Sequence, residues 1–236
     1  MSTTKNAVRF VGALFLVQMT AAVISHMVLL SPILNSKDFL VVLSTHSSKV
    51  ITAMLLDLVC GAAVLGIAVI LFPILKKHSE PIALWYFGLR LFEWIMVIIS
   101  GIFLLTLLSL SKEYVNGPIP EHSYLLQLGN YLLEARDFTK ALMLLGFCLN
   151  VSLFYYLLFK SKLVPRFISV WGMIGVLLIG IEILSNIYGY SIGGIRIMFP
   201  MGLNEIFLGI WLMVKGFNPS AMNPDNSKTE INSLLK

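Results

Sequence analysis

Six stretches of almost uninterrupted apolar residues alternate with short polar segments, at residues 8–30, 50–75, 84–110, 138–159, 167–187 and 195–215. Each approaches or exceeds the ~20 residues that a helix needs to cross a bilayer, so each predicts a membrane span. The fourth predicts an unusually long helix. Residues 124–133 are also mostly apolar and Pro120 offers a helix start, so the helix exceeds 35 residues and projects from the membrane. The sixth predicts an irregular start, because Gly189, Gly193, Gly194, Pro200 and Gly202 cluster there and leave about 14 unbroken residues. Non-helical backbone survives at membrane depth only when buried in protein or lining a wet cavity. No internal repeat emerges. Residues 218–236 are polar, hold two prolines and show no lasting period, which predicts a disordered tail.

Composition makes this reading firm. Of 236 residues 58% are hydrophobic and 12% charged, with a mean hydropathy of +0.87, and so few polar groups cannot cover a globule in water. A water-soluble enzyme is excluded. The net charge of +5 does not indicate a nucleic-acid partner, because the basic residues stand in ones, twos and threes beside apolar runs, as membrane anchors do. Their distribution predicts orientation. With the N-terminus inside, ten Lys and Arg fall on inner segments (Lys5, Arg9, Lys76, Lys77, Lys160, Lys162, Arg166, Lys215, Lys228, Lys236) and four on outer ones (Lys37, Lys49, Lys112, Arg196). That asymmetry predicts a multi-pass protein of the cell membrane with both termini in the cytoplasm. Lys5 and Arg9 ahead of an apolar run suggest a signal peptide, but the run of about 21 residues is too long and no A-x-A site follows, so a retained first span is expected. Cys60 and Cys148 lie inside apolar runs, which predicts plain buried thiols without a disulfide.

The expected fold is therefore all-α: a polytopic integral membrane protein with six transmembrane helices in one bundle over residues 1–217, followed by a cytoplasmic tail at 218–236. Against that background the charges inside or at the edges of spans stand out. They are the cations Arg90, Arg136 and Lys140 and the acids Asp57, Glu93, Glu134, Asp137, Glu182 and Glu205. Each would cost about 2.5–3.5 kcal/mol at a helix centre on insertion scales, so they should face one another rather than lipid. Arg90 and Glu93 share a face of the third span; Glu134, Asp137 and Lys140 repeat that three-residue spacing on the fourth.

Depth estimates at ~1.5 Å per residue place most of these groups in the outer half, with Arg90 and Glu93 near the middle. The expectation is an outward-facing polar basin lined by Asp57, Arg90, Glu93, Asp137, Lys140, Glu182, Asn204 and Glu205, with Gln18, Ser25 and His26 adding polarity from the first span and Asn186 one turn from Glu182. Six carboxylates against three cations require that some acids are protonated, that a cation fills the basin, or that Glu134 and others reach water. The first functional reading is binding or transport of a small polar or cationic solute, a proton or a lipid headgroup, with Arg90 as counter-ion and Glu93 and Glu205 as acceptors. A second is an enzyme acting on a lipid-linked substrate, with no catalytic residue assignable. A third is a structural or sensory subunit whose charges lock helices together.

No GxSxG, HExxH, P-loop or GxGxxG pattern occurs, and no cofactor is implied. His26, His46 and His122, with Asp38 and Glu121 nearby, match no metal-ligand spacing, so no metal site is expected. Gly61, Ala62 and Ala63, and Gly172 with Gly175, are read as points of close helix approach. The bilayer is the predicted partner, together with a small polar ligand or lipid; nucleic acid is not, and the oligomeric state is left open.

Three segments carry a family resemblance: FGLRLFEWIMV around Arg90 and Glu93, YYLLFKSKLVPRFISVWGMIG from Tyr155 to Gly175, and NEIFLGIWLMVKGFN ending at Asn218. Over nearly the whole chain and in the same six-span order, these resemble a bacterial membrane family known as domain of unknown function 4386. Its most specific matches are Ser161, Pro165 and Arg166, and the series Glu205, Trp211, Lys215 and Gly216. Residues 134–140 depart from the family pattern of histidine, tyrosine and aspartate, so the resemblance lends no role to Lys140. It implies the fold and no activity. Pro165 suits the start of a helix, and Lys160, Lys162 and Arg166 are placed to meet anionic headgroups, which reads as a topological clamp.

Overall fold

The computed structural model describes residues 2–118 and 122–222, apart from the side chains of 2–4 and 195. It is all-helical among them, and six helical stretches are long and apolar enough to cross a membrane: Lys5–Leu34, Ser47–Leu75, Glu80–Asn116, His122–Ser161, Arg166–Ile187 and Arg196–Val214. The chain is a multi-pass membrane protein. The elements are α1 (Ser2–Val23), a π-helical segment (Ile24–Leu30), α2 (Ser31–Leu34), α3 (Phe39–Thr45), α4 (Ser47–Leu75), α5 (Glu80–Asn116), α6 (His122–Ser161), α7 (Arg166–Ile187) and α8 (Ile195–Val214).

Large apolar side chains stay exposed along every span, among them Val28, Val69, Ile102, Leu149, Leu177 and Phe199. In water such surface would be a liability; in lipid it is the outer wall. The long fourth helix is present as 40 residues, His122–Ser161. Its expected start at Pro120 lies outside the described residues.

The sixth span differs from expectation. Helix α8 begins at Ile195 and runs through Pro200 and Gly202 unbroken. The irregular backbone is confined to the turn before it, where Gly189 and Gly194 adopt φ of +83° and +57°, a region that favours glycine. Pro200 falls in the second turn, where its missing N–H leaves one carbonyl, that of Arg196, without its helical donor.

The contacts divide the chain into two compact units, each with its own core. The first comprises Met1–Val17, Ala63–Leu91 and Leu144–Lys236. Its core stacks Phe15 and Tyr86 on Phe154, with ring centroids at 6.5 and 5.0 Å. Here α1 and α8 cross backbone to backbone: a methyl group added at Gly12 would sit 2.5 Å from the carbonyl oxygen of Gly209. The segment after α8 folds back, the Asn218 amide donating to Leu163 O at 2.8 Å. Residues 218–222 thus form turns; 223–236, the rest of the expected tail, lie outside the described residues.

The second unit comprises Gln18–Ala62 and Phe92–Met143. Leu40, Leu43, Val50, Leu104 and Leu107 form the centre of its core. Gly61 leaves room for the Trp94 indole, which would lie 2.5 Å from an added methyl. Of the residues read as allowing close approach the glycines do so in both units, since Gly172 packs on the Tyr155 ring and Gly175 on Met201, whereas Ala62 is exposed. Cys60 and Cys148 form no disulfide, but they are half-buried rather than fully buried, because each lies at the margin of its helix's packed stripe.

Candidate functional site

In the second unit the polar groups come from the π-helical segment, α4 and α6. A π-helix is rare and widens the turn; here the Ser31 N–H donates to His26 O, five residues back, and Pro32, which has no N–H to continue the pattern, follows at once. The Ser25 hydroxyl donates to the backbone oxygen of Ala53 at 3.0 Å and ties this segment to α4. One residue on, His26 Nε2 stands 3.6 Å from Asp57 Oδ1. The His26 side chain is 44% exposed and that of Asp57 15%, so the pair lies at the rim of packed protein.

On α6 the buried stripe runs through Leu125, Gly129, Arg136 and Thr139. Arg136 is 1% exposed, and among the described residues none of its three guanidinium nitrogens has a hydrogen-bond partner. The carboxylates of Asp57 and Asp137 act on it electrostatically without bonding to it. Lys140, one turn along, approaches Asp137 at 3.7 Å, and the Asp137 side chain is 64% exposed. Glu134 is exposed as well, which removes two acids from the expected interior excess. Trp94 Nε1, in this unit, is a further buried donor without an acceptor among the described residues. Gln18 and Glu93 are buried and engaged.

The first unit holds a different kind of polar cluster. The Tyr155 hydroxyl, fully buried on α6, donates to Asn204 Oδ1 on α8, and Asn204 Nδ2 donates to Ile168 O on α7 at 3.0 Å. Glu205, Arg90 and Tyr86 all act electrostatically on that hydroxyl. The Arg90 guanidinium lies over the rings of Tyr86 and Phe147 at 5.5 and 5.9 Å, and Arg90 and Glu205 are each engaged. Every group here has been given a neighbour of suitable chemistry.

Glu182, also in this unit, is fully buried on α7 and serves the turn that follows. Its carboxylate accepts from the amides of Ile192, Gly193 and Gly194 at 3.3, 3.1 and 2.9 Å, and from Asn186 Nδ2 and Ser191 Oγ at 3.2 and 3.4 Å. Three successive N–H groups aimed at one carboxylate form an anion nest, and this one satisfies the donors that precede α8.

Of the eight residues expected to line a basin, Asp57, Asp137 and Lys140 gather with His26 and Arg136. Arg90, Asn204 and Glu205 gather around Tyr155, Glu182 holds its turn, and Glu93 is buried in the second unit. Two residues outside that set of eight matter most. Arg136 lies outside the expected lining, although the helical stripe through Leu125 and Gly129 points to it. Tyr155 carries no sequence signal distinguishing it from an interfacial tyrosine. Among the described residues no three His, Cys, Asp or Glu side chains lie close enough to hold a metal ion; Glu121 lies outside them.

No curated protein and no solved structure matches the sequence. A family match does cover residues 10–216, which take in the first span from Phe10 onward, the other five spans whole and the two side-chain clusters described above. The chain belongs to the family described as Domain of unknown function (DUF4386).

Proposed function

We propose that the protein binds, within the membrane, a small polar solute or headgroup that presents a carboxylate or phosphate to Arg136. The observation that carries this reading is the guanidinium itself, 1% exposed and without a hydrogen-bond partner among the described residues. A buried guanidinium whose donors make no hydrogen bond is costly even with carboxylates nearby, and intramembrane ionisable groups are functional by default. Five fork-shaped donors suit the two oxygens of a carboxylate or phosphate. Lys140 is the second cation of the site. The His26 and Asp57 pair, 3.6 Å apart, accepts a proton or a cationic group of the same ligand. Transport follows if the site opens to both sides in turn.

The cluster around Tyr155 supports the structural reading for its own residues. Arg90 and Glu205 are engaged there and the Asn204 side chain bonds on both sides, so this group ties α6, α7 and α8 together. The distribution of Lys and Arg supports placement in the cell membrane with both termini in the cytoplasm. A reporter active only in the cytoplasm, fused at either end, is expected to be active, and inactivity at either end would overturn this orientation.

Native mass spectrometry of the gently solubilised wild type beside Arg136→Gln and Arg136→Lys tests the binding reading. The wild type retains an acidic non-protein mass, Arg136→Gln loses it and Arg136→Lys keeps part of it. Identical spectra for equally folded proteins overturn the proposal.

A further inference from the structure

Within the first unit, the loop between α6 and α7 and the end of α8 enclose a cavity of about 550 Å³. Among the described residues its wall includes three cations, Lys162, Arg166 and Lys215, and no carboxylate. Leu163, Val164 and Phe217 beneath it are buried, so the floor is firm and apolar.

The backbone has been bent to make this shape. Lys162 has φ of +58°, the sole described non-glycine residue in the left-handed region, and Gly216 opposite has φ of +71°. Such a conformation is uncommon outside glycine and persists where the surroundings enforce it. The enforcing contact is the Asn218 amide on Leu163 O at 2.8 Å, which closes the α8 end over the loop. The Arg166 guanidinium lies over the Phe159 ring at 5.0 Å, and Trp211 stacks on Phe207 at 6.3 Å. Two of the walls are thereby stiffened before any ligand arrives.

Helix α7 starts at this cavity without a side-chain cap, Pro165 occupying the cap position. Its first N–H groups add partial positive charge to that of the three side chains. A concave site with three cations, the start of a helix and, among the described residues, no acid is complementary to a compact anion carrying several acceptor oxygens. An indole and a proline on the rim suit a group whose remainder is apolar.

We infer that the cavity between the α6–α7 loop and the end of α8 binds a phosphate group at the membrane surface, either that of an anionic lipid headgroup or free phosphate. This site is distinct from Arg136 and does not depend on the function proposed for it. It also goes beyond a clamp that fixes topology, since it recognises phosphate in a defined cavity.

The test is native mass spectrometry of the full chain, titrated with phosphatidylglycerol, phosphatidylcholine and inorganic phosphate. The variants are Lys162→Gln/Arg166→Gln/Lys215→Gln and, as a charge-matched control, Lys37→Gln/Lys49→Gln/Lys112→Gln. Phosphatidylglycerol is expected to bind the wild type and control alike, and to weaken roughly fivefold for each of the three cations removed from the cavity. Competition by inorganic phosphate assigns the site to phosphate itself; binding of the lipid without such competition assigns it to a headgroup. Equal weakening in the control, or wild-type preference for neither phosphatidylglycerol over phosphatidylcholine nor phosphate, overturns the inference. Arg166→Lys, which keeps the charge, retains most binding and guards against a variant that fails to fold.

Discussion

The hydroxyl of Tyr155 on α6 and the side-chain oxygen of Asn204 on α8 share a fully buried hydrogen bond, although 49 residues separate them in sequence. Asn204 passes the connection on to α7 through the carbonyl of Ile168. Three transmembrane helices are thus held by one amide side chain. Between helices in lipid, packing and such polar bonds replace the hydrophobic effect that operates in water.

Removing the amide is therefore worse than removing the hydroxyl. Asn204→Ala leaves both the Tyr155 hydroxyl and the additional bond of Ile168 O without Asn204, whereas Tyr155→Phe affects one acceptor. An unsatisfied buried group costs about 1–3 kcal/mol, so Asn204→Ala should lose about twice what Tyr155→Phe loses. Reversible unfolding in mixed micelles measures both. Equal stability of Asn204→Ala and wild type would show that the bridge contributes nothing.

Glu182 makes a prediction about motion rather than global stability. Its carboxylate is the acceptor for three consecutive amides, those of Ile192, Gly193 and Gly194. In Glu182→Ala those amides have lost their acceptor, and their hydrogen exchange should accelerate by about tenfold or more, the equivalent of ~1.4 kcal/mol of local opening. Glu182→Gln, with one remaining acceptor oxygen, should fall between. Exchange in the middle of α7 stays unchanged.

His78, in the turn between α4 and α5, supplies a pH dependence. Burial holds its imidazole below the ordinary value of 6.5, and neighbouring Lys77 acts in the same direction, against the backbone of Ala221. A histidine with a depressed folded value favours the folded state in its neutral form. The contribution is complete above 6.5 and is lost as pH falls from there through the folded value. The folded state should lose stability on acidification below about 6.5, seen as a falling unfolding free energy in mixed micelles, while the Ala221 contact, which favours the protonated ring, opposes that loss. His78→Gln should flatten that profile; an unchanged profile would place the pH dependence elsewhere.

The parts of the fold legible in the sequence are those fixed by the bilayer. A span must be long and apolar whatever it packs against, so all six could be placed, and the length of α6 could be read from residues 124–133. What depends on partners could not. The glycines before α8 suggested a broken span; Glu182 resolves the irregularity within the turn, a solution invisible without knowing where its carboxylate points. Tyr155 and Asn204 meet because α6 and α8 are neighbours, which no spacing within either helix encodes. Arg136 is the instructive case. Its place on the stripe through Leu125, Gly129 and Thr139 was present in the helical period, but the regular spacing of Glu134, Asp137 and Lys140 drew attention to the exposed face of the same helix.

The central claim is that Arg136 is kept for a ligand and weakens the empty protein. Comparing wild type with Arg136→Met in reversible unfolding, after washing in mild detergent to strip bound molecules, tests it most directly. Replacing a buried ion by an apolar side chain of similar volume is often stabilising by about 1–4 kcal/mol, and a gain in that range is the predicted result. A loss of about 3–5 kcal/mol, the cost of breaking a paired buried charge, would make Arg136 a structural ion and contradict the account.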